Sequence, residues 1–390
     1  MSSSWQQSEP SGLAEAEPLS GALIEHGAGA PQGGAHLTVP VVPLPDEAAR
    51  DSAARRQAQL TKPPGSLGRL EMLALQLAAW QGASFPSVRP AAALIFAADH
   101  PVTRHGVCPY PSAVTRAMVD NFASGGAAVS VLCSGMGIPL TVVDVGVSSG
   151  TTIPREYPGA TLVRDPVSEQ RAGDIWCEDA MTDEAFSASV EAGRAAVRRL
   201  TPRPRCLVLG EMGIGNTTAA AAVCAALLGG PTEAFVGAGT GSLGDQLERK
   251  RTVVREAVAR VVGNDGGRPR PLEALRRLGG REIAALYGAM VEATQERIPI
   301  VVDGYIVTTA ALVLIEQVTA AKAGMIFAHR SDEAAHGTVL EHLGVSPLLN
   351  LGMRLGEASG ALVAFPIVEQ ACRLHERMAT FASANVPEPG

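Results

Sequence analysis

Positive charge is what this sequence is short of. Its 32 Lys and Arg stand against 39 Asp and Glu, a formal net charge of −7, whereas a chain that grips phosphate backbones needs the opposite balance. Aromatic residues make up only 4%, too few for the stacking platforms that hold single-stranded bases. Nucleic acid is therefore excluded as a partner. Long apolar runs are missing too. The best candidates, Ala91 to Ala98 and the Ala-rich run from Ala219, fall short of the about 18 residues that span a bilayer, so no membrane partner is expected. The six cysteines, at 108, 133, 177, 206, 224 and 372, contain no CxxC pair and are too sparse in 390 residues to form a disulfide framework. No basic residue precedes Arg50, so the positive start of a secretory signal is absent and a cytoplasmic location is expected.

What is present is a globular composition, with 46% hydrophobic and 18% charged residues. Residues 1–45 are rich in Ser, Gly, Pro, Ala and Gln without sustained periodicity, which predicts a disordered extension. Order is expected from Asp46. The turn Lys62, Pro63, Pro64, Gly65 delivers the chain to a helix with Ser66 as N-cap and Leu67, Leu70, Met72, Leu73 and Leu77 as its apolar stripe. Short apolar runs then alternate with Ala-rich helical segments, the pattern of βα units around a mostly parallel sheet. The expected strands are Ala91 to Ala98, Leu140 to Val143, Cys206 to Leu209, Ala234 to Val236, Ile298 to Val302 and Met325 to Ala328.

Polar groups follow these strands one after another: Asp99 and His100, Asp144, Glu211, the glycines from Gly237, Asp303, and His329 with Arg330 and Ser331. Ligands of open α/β sheets bind outside the carboxyl ends of the strands. Any one of these residues could be an ordinary cap or turn; together they point to a polar site.

Three motifs stand out. GEMGIGNTT, residues 210–218, follows the strand CLVL and opens a long Ala-rich helix. Its glycines and helix start suit a phosphate, though an ordinary glycine turn with a cap reads the same way. Gly210, Gly215 and Thr217 imitate a Walker loop, but Asn216 occupies the lysine position, so an NTPase is disfavoured. Gly239, Gly241 and Gly244 imitate a dinucleotide fingerprint, yet a charged helix with Leu247, Val254, Val258 and Val261 as its stripe follows where a second strand is required. On that helix Lys250 and Arg251 read as a solvated face. In LGMRLGEASGA, residues 351–361, Glu357 lies between two glycines, either exposed at a backbone bend or offsetting a helix dipole. The histidine clusters ADHPVTRH and HRSDEAAH match no closed zinc spacing, so no metal is expected.

Taken together, KPPGSLGRLE at 62–71, ADH at 98–100, GV at 106–107 with YP at 110–111 and VT at 114–115, GEMGIGNTT, DG at 303–304 and MRLGEASGA at 353–361 resemble the nicotinate-nucleotide:dimethylbenzimidazole phosphoribosyltransferase family. The resemblance covers residues 46–382 in order. It implies an α/β fold with a parallel Rossmann-like sheet, flanking helices and a smaller helical domain built partly from both chain ends. On that basis residues 46–90 are the N-terminal helical part of the small domain, 91–350 the α/β phosphoribosyltransferase domain, and 351–385 the active-site glutamate loop and C-terminal helices.

The resemblance also implies a homodimer with no cofactor, whose partners are nicotinate mononucleotide and a benzimidazole-type base. Glu357 is the implied general base, with Glu211 and Lys250 as further catalytic groups, reversing the solvated reading of Lys250. Substrate contacts are implied for Asp99, His100, Ser112, Met212, Gly213, Gly215, Asn216, Thr217, Gly239, Asp303, Ser331 and Leu355. Three positions depart from the family pattern: Pro101 stiffens the first loop, Ser112 replaces a common Gln near the incoming base, and Asp174 brings a negative charge toward the phosphate. Alternatives are a relative that uses a purine or phenol as acceptor, and a binding protein that has lost turnover.

Overall fold

The computed structural model describes residues 39–147, 160–239, 241–262 and 267–387. Among these residues six strands form one sheet: β1 (Ala91–Ala98), β2 (Leu140–Gly146), β3 (Thr161–Arg164), β4 (Cys206–Met212), β5 (Ile300–Val302) and β6 (Met325–Phe327). They run in the order β3-β2-β1-β4-β5-β6, and every pairing is parallel. A parallel sheet must be covered on both faces, which is why β1 and β4 are buried from end to end, β1 as an unbroken apolar run and β4 apolar up to Leu209. Along β1, Leu94 and Phe96 join the core of one face, while Ala93 and Ile95 join that of the other. Full burial of each such large side chain stabilises by about 1.5–3 kcal/mol.

The order reverses between β1 and β4, so the connections leave in opposite directions there and open a crevice at their carboxyl ends. Register sets what lines it, with Ile95 opposite Gly210 and Phe96 opposite Glu211.

On one face the covering helices come from both chain ends. Helix Glu47–Gln59 starts on Asp46, whose side chain accepts the Ala49 N–H at 2.9 Å. Near its end Gln57 Nε2 meets His375 Nδ1 at 2.9 Å, and Arg56 donates to the His375 carbonyl at 2.7 Å. The Thr61 N–H then reaches Ala379 O at 3.0 Å. This is the smaller helical part that the resemblance implied.

Several local expectations are corrected. Helix Arg69–Gln81 begins three residues after Ser66, with Gly68 as its N-cap. The local anchor is Glu71, which accepts the Leu67 N–H at 3.0 Å and pairs with Lys62 at 2.8 Å. Met72 is exposed and outside the apolar stripe. Ala234 to Val236 is not a strand. Thr232–Phe235 forms a 3₁₀ turn that follows directly on Pro231, whose fixed φ and missing N–H suit the start of a turn. The edge strand β3 was not anticipated; it has four residues and none is buried. The extension lies outside the described residues as far as 38, but residues 39–45 are partly packed, with Pro40 buried and Arg297 donating to Leu44 O at 2.9 Å.

Helices Asp183–Arg198 and Arg281–Gln295 pack backbone against backbone. A Cβ added at Gly288 would overlap the Val190 carbonyl, and neither helix can retreat without opening the core. Gly288→Ala is expected to destabilise the fold by about 1–3 kcal/mol, the usual range for overpacking. Urea unfolding should show the midpoint falling with an unchanged m-value; an unaltered midpoint would contradict this packing.

Candidate active site

A cavity of about 630 Å³ opens at the carboxyl edge of β4, β5 and β6. The end of β4 and the turn after it supply Glu211, Met212, Gly213, Ile214, Asn216 and Thr217; Gly304 to Val307 follow β5; His329, Ser331 and Glu333 follow β6; residues 354–357 close one side. Of the residues singled out in the sequence, Glu357, Glu211, Met212, Gly213, Asn216, Thr217, Gly239, Ser331 and Leu355 line this cavity. The others stand behind it or elsewhere.

Glu357 owes its place to an unusual stretch of backbone. Gly356, Glu357 and Ala358 all have positive φ, at 83°, 59° and 61°. For the two non-glycine residues that conformation costs about 1–2 kcal/mol each. The Ser359 side chain ties the bend by donating to Gly356 O at 2.7 Å, and Arg354 fixes the approach by donating to Gly239 O at 3.0 Å. Gly356 is required because a Cβ there would strike the Glu211 carboxylate. The result is a buried carboxylate facing a cavity. Burial, and then the neighbouring Asp303, push the Glu357 carboxyl up to about 7.

Glu211 ends β4 and accepts a hydrogen bond from Asn216 Nδ2. Burial first, then Asp303 and Glu282, raise its carboxyl to about 8, against the lowering effect of Asn216. Asn216 is thus spent on Glu211 and does not cap its helix; helix Asn216–Leu228 begins at Gly215 with no side-chain cap. Gly215 itself, at φ 99°, makes the turn and does not line the cavity.

Lys250 is only 1% exposed, so the solvated reading is overturned. Its ammonium lies beneath the cavity and donates to Thr217 Oγ1 at 2.9 Å and Gly237 O at 3.0 Å. Burial lowers it to about 8, with Glu333 pulling the other way.

The remaining expectations move. Asp303 is buried under the loop and accepts the Ala361 N–H on Oδ1 at 2.8 Å instead of lining the cavity. Asp99, His100 and Ser112 line a separate polar pocket of about 420 Å³. There His100 pairs with the buried Glu282 at 2.6 Å, which places it under the turn that carries Gly213 and Gly215. Tyr110, Val114 and Met118 form one wall of the main cavity, and Ser112 is not among the residues that line it. Asp174 is not among the residues that line the cavity either; it meets Arg104 and His105 at 2.6 Å each.

Glu333 was missed as a lining residue because HRSDEAAH was weighed only for metal. Val114 and Met118 were also missed, although their i, i+4 spacing marks one helix face. His336 accepts the Ser331 N–H at 2.8 Å on Nδ1, and its Nε2 lies 3.0 Å from Thr308 Oγ1. Among the described residues no three His, Cys, Asp or Glu converge in an arrangement that could hold a metal ion. Chemically the site offers a proton acceptor titrating near neutrality, an apolar wall for a flat ring and a helix start able to face a phosphate.

Comparison with known proteins bears on the family and the fold. A family described as "Phosphoribosyltransferase" matches residues 42–386. The nicotinate-nucleotide–dimethylbenzimidazole phosphoribosyltransferase of Methylorubrum extorquens is 44% identical over 355 residues, 91% of this chain and 96% of its own length. That of Azotobacter vinelandii is 47% identical over 346 residues, 88% of this chain and 96% of its own. The crystal structure of CobT from Thermus thermophilus superposes with a TM-score of 0.80 at 40% identity, covering 88% of this chain and all of that one.

Removing the Asn216 donor should raise the Glu211 carboxyl further, since that hydrogen bond favours the ionised form. Carbon-13 NMR titration of labelled glutamates in Asn216→Ala against the parent would show it. An unmoved or lowered midpoint would mean that Asn216 does not hold the carboxylate.

Proposed function

Because the chain belongs to the nicotinate-nucleotide–dimethylbenzimidazole phosphoribosyltransferase family, we propose that its cavity seats both substrates and that Glu357 takes the proton released from the acceptor base. The chain is a phosphoribosyltransferase of corrinoid nucleotide-loop assembly. It moves the 5-phosphoribosyl group of nicotinate mononucleotide to 5,6-dimethylbenzimidazole, giving α-ribazole 5′-phosphate and nicotinate. One observation supports the assignment of Glu357 above all: a carboxylate held at the cavity wall by three consecutive left-handed residues.

The chemistry needs little else. Nicotinate in the mononucleotide is a pyridinium, so its bond to the ribose C1′ breaks with the electron pair going to the ring nitrogen, and no acid is required. One benzimidazole nitrogen forms the new bond to C1′ from the opposite face, which turns a β-linkage into an α-linkage. The proton on the other nitrogen must leave for the product to be neutral, and Glu357 receives it. Glu211 stabilises positive charge as it grows on the ribosyl centre. Burial pushes its carboxyl up to about 8, and a cationic substrate beside it favours the ionised form.

The apolar side chains of Tyr110, Val114, Met118 and Leu355 suit the flat acceptor ring. The uncapped start of helix Asn216–Leu228 and Ser331 suit the phosphate, and Lys250 adds positive charge beneath Thr217. A homodimer and a cytoplasmic location belong to the same reading; no described helix is long and apolar enough to cross a membrane.

Glu357→Gln keeps size and polarity but cannot accept the proton. Its kcat should fall by about 10² to 10⁴, while nicotinate mononucleotide affinity by calorimetry changes by no more than a few-fold. In the parent, acidification below about 7 protonates the acceptor, so kcat should drop about tenfold per pH unit there. A variant that turns over within a few-fold of the parent would move the role to another carboxylate. Product analysis with purine and phenol acceptors in the same assay fixes which base is preferred.

A further inference from the structure

The loop that presents Glu357 runs directly into helix Ser359–Arg377, and that helix has no cap of its own. Its N-cap residue is Ala358, at φ 61°, whose methyl group cannot accept a hydrogen bond. The acceptor comes instead from the end of β5, where Asp303 Oδ1 takes the N–H of Ala361, the third residue of the helix, at 2.8 Å across a separation of 58 residues. Asp303 is 1% exposed, and its second oxygen, Oδ2, has no hydrogen-bond partner. Burial pushes this carboxyl up to about 7, against the nearby backbone N–H groups of Ala361, Gly304, Gly360 and Ala358 that favour its charge, and in its ionised form it raises both carboxyls of the site.

We propose that Asp303 is the positioning residue of the active site: by capping helix Ser359–Arg377 it holds Glu357 in its left-handed, cavity-facing conformation, and by its charge it sets how readily Glu357 accepts a proton. The proposal rests on the reading of Glu357 as the proton acceptor. Asp303 itself does not line the cavity.

Two further contacts fit this role. A Cβ on Gly210 would strike the backbone nitrogen of Ala358, so β4 and the loop are already in closest approach and the bend has one way to lie. Gly360, in the first turn, likewise presses against the His329 ring. The ionisable groups facing Asp303 are Glu211 from β4, Glu357 from the loop, and His329 after β6, whose Nε2 lies 3.7 Å from Oδ1; the first turn of the capped helix contributes none. Burial lowers the His329 imidazole toward its neutral form, so it does not cancel the charge of Asp303. Glu211 and Glu357 both feel that charge and are raised by it.

Two variants separate the cap from the charge. Asp303→Asn keeps an oxygen for Ala361 and loses the charge, whereas Asp303→Ala loses both. Product formation at saturating substrates is measured from pH 5 to 9 for the parent, both variants, Glu357→Gln, and Glu357→Gln combined with Asp303→Ala. Asp303→Asn is expected to keep kcat on the alkaline plateau within a few-fold. Its acidic limb should move to lower pH, because a carboxylate that loses an anionic neighbour ionises more easily. Asp303→Ala should lose about 10² in kcat, the penalty for a misplaced catalytic group, with the KM for nicotinate mononucleotide changed far less. Combined with Glu357→Gln it should add almost nothing, since the residue acts through Glu357. An acidic limb of Asp303→Asn that coincides with the parent's overturns the proposal, and that result stands even if Asp303→Ala does not fold. Additive losses in the double variant overturn it as well. Near-parental turnover by Glu357→Gln alone would instead overturn the reading of Glu357.

Discussion

The hydrogen bond from the Ala361 N–H to Asp303, 2.8 Å long and fully buried, joins the end of β5 to the start of the helix that follows Glu357. Much of the site depends on where that junction lies. It places a third carboxylate next to Glu211 and Glu357, all three buried, and like charges so placed disfavour one another's ionisation. Burial is the leading cause for each, and the charge of Asp303 adds to it for Glu211 and Glu357. The carboxyl groups consequently titrate in the neutral range, where a transferable proton is useful, instead of near 4.

The sheet makes such a cluster possible. Parallel strands direct all their carboxyl ends to one edge, and the reversal of order between β1 and β4 leaves that edge open. Short connections then carry β4 into the glycine turn and β5 into helix Tyr305–Gln317, so Glu211 and Asp303 sit at fixed points of a rigid frame. The loop with Glu357 is added from the far end of the chain and tied down by Arg354, Ser359 and Asp303. A preorganised acceptor of this kind needs no rearrangement when the base arrives.

Much of this was legible in the sequence. Strand-length apolar runs ending in polar residues located five of the six strands, and the glycines around Glu357 marked a bend able to expose a carboxylate. The failures have physical reasons. Lys250 read as solvated because its charge outweighed its spacing, yet Val253, Val254 and Ala257 lie three, four and seven residues on and are buried on the same helical face. Ser112 and Asp174 were carried over from motifs, and only the fold shows that one faces another pocket and the other is held by Arg104 and His105. Asp303 was visible as a polar residue after a strand; its engagement with a helix 58 residues away was not, because no local pattern encodes a long-range cap.

The central claim is that this frame sets Glu357 against the acceptor base. A crystal structure of the protein with 5,6-dimethylbenzimidazole and nicotinate bound tests it most directly. The account predicts the ring between Tyr110, Val114, Met118 and Leu355, with one ring nitrogen about 2.6–3.2 Å from a Glu357 carboxylate oxygen. It also predicts that the Asp303 contact to Ala361 persists unchanged. A base whose nitrogens meet Glu211, Glu333 or solvent, with Glu357 turned away, would contradict it.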